Sequence, residues 1–171
     1  MLNACKSGDS FNKISKTENH NFLKVGNEKI QLESGSLQNL GAFDENVSDF
    51  VLNLFSSEFK LNNGKPVFKD NLISGITVDL YVNSPCNLVI TSYKKVSYRE
   101  ISGNTFQALD IAINYNFVNE KGITRHVTDG TLKVLSVNSK FELKFIGIDN
   151  KGEKVSFFYE GKLLKINNTV C

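Results

Sequence analysis

Side chains able to run chemistry are few and far apart in this sequence. There are two histidines, His20 and His126, and three cysteines, Cys5, Cys86 and Cys171. A transition-metal site needs several His, Cys or carboxylate ligands at close spacing. Neither histidine has such neighbours, so no metal site is expected and His126 reads as a strand residue. Asp149-Asn-Lys-Gly-Glu153 has the outline of a calcium loop. It lacks the alternating oxygen ligands and closing glutamate, and reads as a hairpin turn. No Gly-x-Ser-x-Gly elbow presents a serine. Cys86 follows Ser84-Pro85 and would need His126 as its base, with nothing local to activate the thiol. Glu100, Asp110 and Glu142 are scattered carboxylates, better explained as outward strand residues than as a glycosidase pair. Phosphate loops and dinucleotide glycine patterns are absent. The expectation is a chain with no catalytic residues and no cofactor.

Cys5 is the exception, because its surroundings imply a modification. Leu2-Asn3-Ala4-Cys5 matches the tail of a bacterial lipoprotein signal: a leucine three residues before, a small residue just before, then cysteine. In such a signal the thiol takes a diacylglyceryl group, and a peptidase then cuts before the cysteine, where a small residue fits its site. A working signal also has a charged and an apolar region upstream, which the four residues before Cys5 do not supply. The alternative is an idle cysteine in a polar tail. Lys6 to Asn21 holds two large apolar residues, Phe11 and Ile14, without a period. Residues 1–21 are therefore expected to be a truncated lipobox and a flexible tether. Cys86 and Cys171 would remain, and in an oxidising envelope they could pair and pin the last strand. A buried thiol and a frayed end is the bland reading.

Composition bounds the remainder. The chain has 171 residues, 40% hydrophobic and 22% charged, which is globular. Thirteen Phe and five Tyr against no Trp suit pleated sheets. The net charge of +2 is spread among acids, with no Lys/Arg stripe, so nucleic acid is not expected as a partner. No apolar run of about 18 residues would carry a helix across a membrane.

The elements that must position these residues are strands. Phe22 to Glu33 reads as a hairpin about Gly26-Asn27, Phe50 to Phe55 as a strand, and Leu61-Asn-Asn-Gly64 as a tight turn. Ser34 to Ser48 looks loop-like, with a short helix possible at Ser36–Leu40 or Asn46–Leu54. Ile76 to Val82 and Asn87 to Tyr93 follow as strands. Leu109 to Val118 alternates, with Ile111, Ile113, Tyr115 and Phe117 on one side. Thr131 to Val137 should pair with Phe141 to Asp149, and Lys154 to Ile166 completes a C-terminal meander. The fold class expected is all-β: a mainly antiparallel two-sheet sandwich or flattened barrel of about eight to ten strands over residues 22–171.

The run Asp129 to Leu163 carries Gly130-Thr131-Leu132-Lys133-Val134, then Phe141 to Phe145, Asp149 to Gly152 and Tyr159-Glu160-Gly161-Lys162-Leu163. These resemble the C-terminal hairpins of small surface or periplasmic lipoproteins of Bacteroidetes-type bacteria, and Phe22 to Phe55 resembles their opening. The resemblance implies an envelope address, in the outer membrane with a periplasmic or surface face, and a β architecture. It implies no chemistry.

Aromatic residues are the remaining candidates for recognition. Tyr81, Tyr115 and Tyr159 sit at alternating positions and are expected in the core. Tyr93 and Tyr98 flank Lys94-Lys95 in an expected hairpin and are the better candidates for an exposed binding surface. The functional expectation is a non-catalytic envelope lipoprotein, held to the membrane through Cys5. It would bind a partner protein, a glycan or a small apolar ligand. The alternative is a lipocalin-like carrier with a hydrophobic ligand inside its barrel; an enzyme is the third reading. An internal cavity would favour the carrier. A filled core with an exposed aromatic patch would favour the binding module.

Overall fold

The computed structural model describes residues 21–167. Cys5, the expected tether as far as His20, and Cys171 lie outside the described residues; Asn21, its last residue, is hydrogen-bonded to Glu160, whose amide donates to Oδ1 of Asn21 at 2.7 Å. The chain runs through β1 (Phe22–Val25), β2 (Glu28–Gln31), β3 (Ser34–Asp44), β4 (Val47–Phe55), β5 (Phe59–Asn62), β6 (Lys65–Phe68), β7 (Ile73–Val82) and β8 (Ser92–Lys95). It continues through β9 (Thr105–Asn116), β10 (Lys121–Val137), β11 (Phe141–Asp149), β12 (Lys154–Gly161) and β13 (Leu164–Asn167). The helical content of the described residues is one 3-10 turn, Tyr98–Glu100.

Eleven strands form one mixed sheet that curls into a half-barrel, in the order β13-β3-β4-β7-β9-β8-β10-β11-β12-β1-β2. β5 and β6 make a separate two-stranded sheet, turned by Asn63 and Gly64 at φ 50° and 75°. That conformation is why an Asn-Gly pair stands there. The class is all-β and mainly antiparallel, with the expected meander β10-β11-β12. Only β13–β3 and β8–β9 pair in parallel among the described strands. The long β10 serves three partners. Its first half pairs with β9, and its second half with β11, while β8 is wedged between β9 and β10.

Three local expectations fail, each for a packing reason. Ser34 to Asp44 is a strand, and neither suggested helix forms. Gly35 and Ser36 are buried, and a Cβ on Gly35 would meet Leu163 at 2.6 Å and Leu54 at 2.7 Å. Small residues sit here because large ones cover them. The strand expected at Asn87–Tyr93 is mostly loop, with strand only from Ser92. The hairpin expected at Lys94-Lys95 is instead the wedge strand β8.

Inward residues of both halves meet in one core. β4 contributes Phe50, Leu52 and Leu54 at alternate positions, and β11 contributes Phe141, Leu143 and Phe145. At the centre, Phe145 stacks on Phe157 at 5.5 Å between ring centroids and meets Phe106 edge-on at 6.0 Å. All three are at most 1% exposed, so the curled sheet is filled by its own rings. Gly130 and Gly147 are register partners on β10 and β11. A Cβ on either would come within 2.5 Å of Cζ of Phe145, whose ring occupies the space two side chains would need.

The turn read as a hairpin between β11 and β12 also carries a buried charge. Asp149 is a buried residue. Its Oδ2 accepts from Nη1 of Arg125 at 2.9 Å, and its Oδ1 accepts from the amides of Lys151 at 2.9 Å and Glu153 at 2.8 Å. Burial pushes this carboxyl up, but the guanidinium and the two amides outweigh burial and hold it below its ordinary value. A depressed folded pKa stabilises above the unfolded pKa, and that contribution is lost as pH falls through the folded value, below about pH 4. Arg125→Met is expected to lower the urea midpoint at pH 7 and to flatten the acid side of the stability profile. A midpoint unchanged at both ends would show that the pair contributes nothing.

Candidate functional site

Recognition residues here are placed by a bulge rather than by strand alternation. On β7, Ile76, Val78 and Leu80 point into the core, so Gly75, Thr77 and Asp79 lie on the outer face. On β9 the outer positions are Ala108, Asp110 and Ala112, opposite Asp79, Thr77 and Gly75. The register then slips: Ile73 pairs with Tyr115, so three residues of β9 answer two of β7. Asn114 takes the left-handed φ of 49°, and its amide donates to Oγ of Ser74 at 2.9 Å. This bulge transfers Tyr115 and Phe117 from the side of Ile111 and Ile113 to the outer face. The expectation that Tyr115 is core is therefore corrected: it is half-buried, beside the exposed Phe117. Tyr159 is in the core as expected, whereas Tyr81 is buried on the outer face, opposite Asp49 and edge-on to the exposed Phe43.

The result is a groove of about 470 Å³ across β7, β9 and the start of β10. Gly75 and Ala112, register partners, line it together with Phe55, Tyr115 and Phe117. Phe55 folds over Gly75, where an added Cβ would stand 3.1 Å from the ring and 2.4 Å from the Leu54 carbonyl oxygen. Gly122 likewise leaves room for Tyr115, whose ring would be 2.8 Å from a Cβ there.

The aromatic wall is braced by the separate hairpin. Phe68 of β6 stacks on Phe117 at 5.4 Å and 9°, and meets Phe55 edge-on at 4.9 Å. Phe59 of β5 meets Phe55 at 5.5 Å, and Tyr115 meets Phe117 at 5.2 Å. Serines pin the base of this hairpin: the Ser56 amide donates to the Ser74 carbonyl at 2.8 Å, and the Ser74 amide to Oγ of Ser56 at 2.9 Å. Five rings from four segments thus meet at one end of the groove.

The next cross-strand row is polar. Ser36, Asn53, Thr77, Asp110 and His126 stand opposite one another across β3, β4, β7, β9 and β10. Thr77 Oγ1 donates to Oδ1 of Asn53 at 2.8 Å, and Nδ2 of Asn53 to Oγ of Ser36 at 3.4 Å. Asp110, Thr124 and His126 are exposed and line the groove. His126 is thus the strand residue expected, and it faces Asp110. Further along the outer face stand Asp79 and Asp49. Burial pushes the Asp79 carboxyl up, and the charge of Asp110 adds to this. Burial and then the charge of Asp79 do the same to Asp49. The outer face thus carries the carboxylates Asp110, Asp79 and Asp49 beside the aromatic wall, and Arg125 of the groove lining is engaged by Asp149 and Glu153.

The residues singled out from sequence do not meet here. Tyr93 is not a surface residue: it is 0% exposed, its hydroxyl accepts from the Val89 amide at 3.0 Å and donates to the Val89 carbonyl at 3.1 Å. Burial, partly offset by that bond, pushes its hydroxyl up to about 12. The ring faces inward from β8, opposite the buried Leu132 of β10, and belongs to the core. Tyr98 is 71% exposed, in the 3-10 turn. It lies toward the Tyr81 end of β7, six residues along the strand from Gly75, roughly 20 Å away. Cys86 is exposed in the loop between β7 and β8. No group of three or more His, Cys, Asp or Glu among the described residues is arranged to hold a metal ion.

A larger cleft, about 1010 Å³, lies between the β5–β6 hairpin and the β12–β13 region. Its lining mixes Lys60, Lys69 and Lys162 with Glu33, Glu58 and Glu160, charges that solvate an edge and do not converge on a ligand. The groove combines apolar rings with a row of donors and acceptors, the usual make-up of a small-molecule site. No protein-family model matches the chain, and searches of curated proteins and of solved structures return no match.

Proposed function

We propose that this protein is a non-catalytic binding module of the bacterial cell envelope, held to the membrane by lipid on Cys5, with its ligand site in the outer groove. The observation that carries the binding role is the aromatic-walled groove on a curled sheet whose interior is already occupied. A carrier of the lipocalin kind needs volume inside its barrel, whereas Phe106, Phe145 and Phe157 fill the centre here. Catalysis asks for an acid, base or nucleophile held in reach of its partners. The groove offers Asp110 and His126 on an open face, exposed and suited to holding hydroxyls or amides.

The address rests on Leu2-Asn3-Ala4-Cys5 and on the resemblance to envelope lipoproteins. Metabolic labelling with a fatty-acid probe is expected to mark the full chain when it is expressed behind a lipoprotein signal, and to miss Cys5→Ser. Label retained by the variant would exclude Cys5 as the anchor. For the binding role, a thermal-shift screen of a metabolite and glycan library is expected to yield ligands whose stabilisation disappears when Ala112 is enlarged to fill the groove. Ligands that stabilise both forms equally would put recognition elsewhere.

A further inference from the structure

We infer that the groove takes a short, uncharged oligosaccharide, one pyranose face lying on the Phe117–Tyr115 wall and its hydroxyls meeting Asp110, Thr124 and His126. This rests on the groove-binding reading and names its ligand class. The groove is two-sided in chemistry. One end is made of rings, with Phe117 53% exposed, and the surface beside it carries a carboxylate, a hydroxyl and an imidazole, all solvent-exposed, with the Arg125 guanidinium held by Asp149 and Glu153. A pyranose has matching sides. Its C–H face carries slight positive charge and packs on the negative face of an aromatic ring, while its equatorial hydroxyls donate and accept around the rim. Asp110 supplies acceptors, and Thr124 and His126 supply both donors and acceptors.

Other occupants fit less well. An acyl chain would cover Asp110 and His126 without giving them partners, and buried polar groups left unpaired are costly. A phosphate, a nucleic acid or an acidic sugar would approach Asp110 and Asp79, carboxylates that repel an anion, while Arg125, the cation in the lining, is already held by Asp149 and Glu153. A peptide binding by strand addition needs an unpaired edge. Gly75 and Ala112 belong to strands paired on both sides, β7 with β4 and β9, and β9 with β7 and β10. At about 470 Å³ the groove lies within the roughly 300–1,000 Å³ of small-molecule sites, which suits a few sugar rings.

The test is an amide-resonance titration of the full chain with trisaccharides of glucose, mannose, xylose and N-acetylglucosamine, beside lauric acid and inorganic phosphate. At least one trisaccharide is expected to shift the amides of Gly75, Ala112, Tyr115 and Thr124 in a saturable way. Phe117→Ala and Asp110→Ala should each weaken that binding by about tenfold or more, a loss typical of one stacking ring or one charged hydrogen-bond partner. Both residues are exposed, so both variants should fold as the parent does, which their amide spectra report. If lauric acid or phosphate shifts these amides and no trisaccharide does, the ligand class is wrong and the groove reading stands. If no probe moves them, both are overturned. Trisaccharide binding that survives Asp110→Ala unchanged would also overturn the assignment of hydroxyl contacts.

Discussion

Phe145→Ala is expected to lower the unfolding free energy by about 3–5 kcal/mol, the usual cost of removing a large buried ring. For a chain of this size that is a fall in Tm of about 6–20 °C. The ring is fully buried, stacked on Phe157 and edge-on to Phe106, and it fills the space over Gly130 and Gly147. Neighbouring β10 and β11 are tied along their length, so the site cannot collapse onto the vacancy. Urea unfolding should show the loss in the midpoint with the slope unchanged. A loss under about 1 kcal/mol would mean that the centre of the half-barrel is loosely filled, and would restore an interior ligand as a candidate.

Ala112→Trp should have the opposite profile, large in binding and small in stability. Ala112 lies on the outer face between Gly75 and Thr124, where an indole would lie along the groove and not in the core. Aromatic residues suit a half-exposed sheet surface, so stability is expected to stay within about 1 kcal/mol of the parent, as for outer-face changes generally. Affinity for a groove ligand should fall by about 100-fold or more, because the indole occupies its volume; this amounts to about 3 kcal/mol. Calorimetric titration beside urea unfolding separates the two quantities. Equal affinity in both proteins would remove the groove from the account.

How far the site was legible in sequence turns on register. The core of β11 was plain, because Phe141, Leu143 and Phe145 alternate with charged residues, and the β5–β6 turn was plain from Asn63-Gly64. β3 was hidden because a strand covered by Leu54 and Leu163 must be built from Ser, Gly and Asn, the residues that elsewhere make loops. Strict alternation carried through Asn114 puts Tyr115 in the core and Phe117 on the side of Ile111 and Ile113, but one extra residue there turns the following side chains to the other face. The signal was an asparagine, tolerant of positive φ, inside an otherwise regular run. Tyr93 failed for a different reason. Its burial comes from β8 being wedged into the sheet with Tyr93 on the inner side opposite Leu132, a tertiary pairing that no local pattern records.

A fluorescent fatty-acid analogue titrated into the parent and into Ala112→Trp tests most directly whether the barrel's interior is closed and its outer groove is open. The account predicts no saturable one-to-one signal with either protein, since the centre is occupied by Phe106, Phe145 and Phe157 and an acyl chain in the groove would leave Asp110 and His126 without partners. One-to-one binding of the same strength in both proteins would place the ligand outside the groove, inside the curled sheet or in the cleft beside the β5–β6 hairpin, and contradict it.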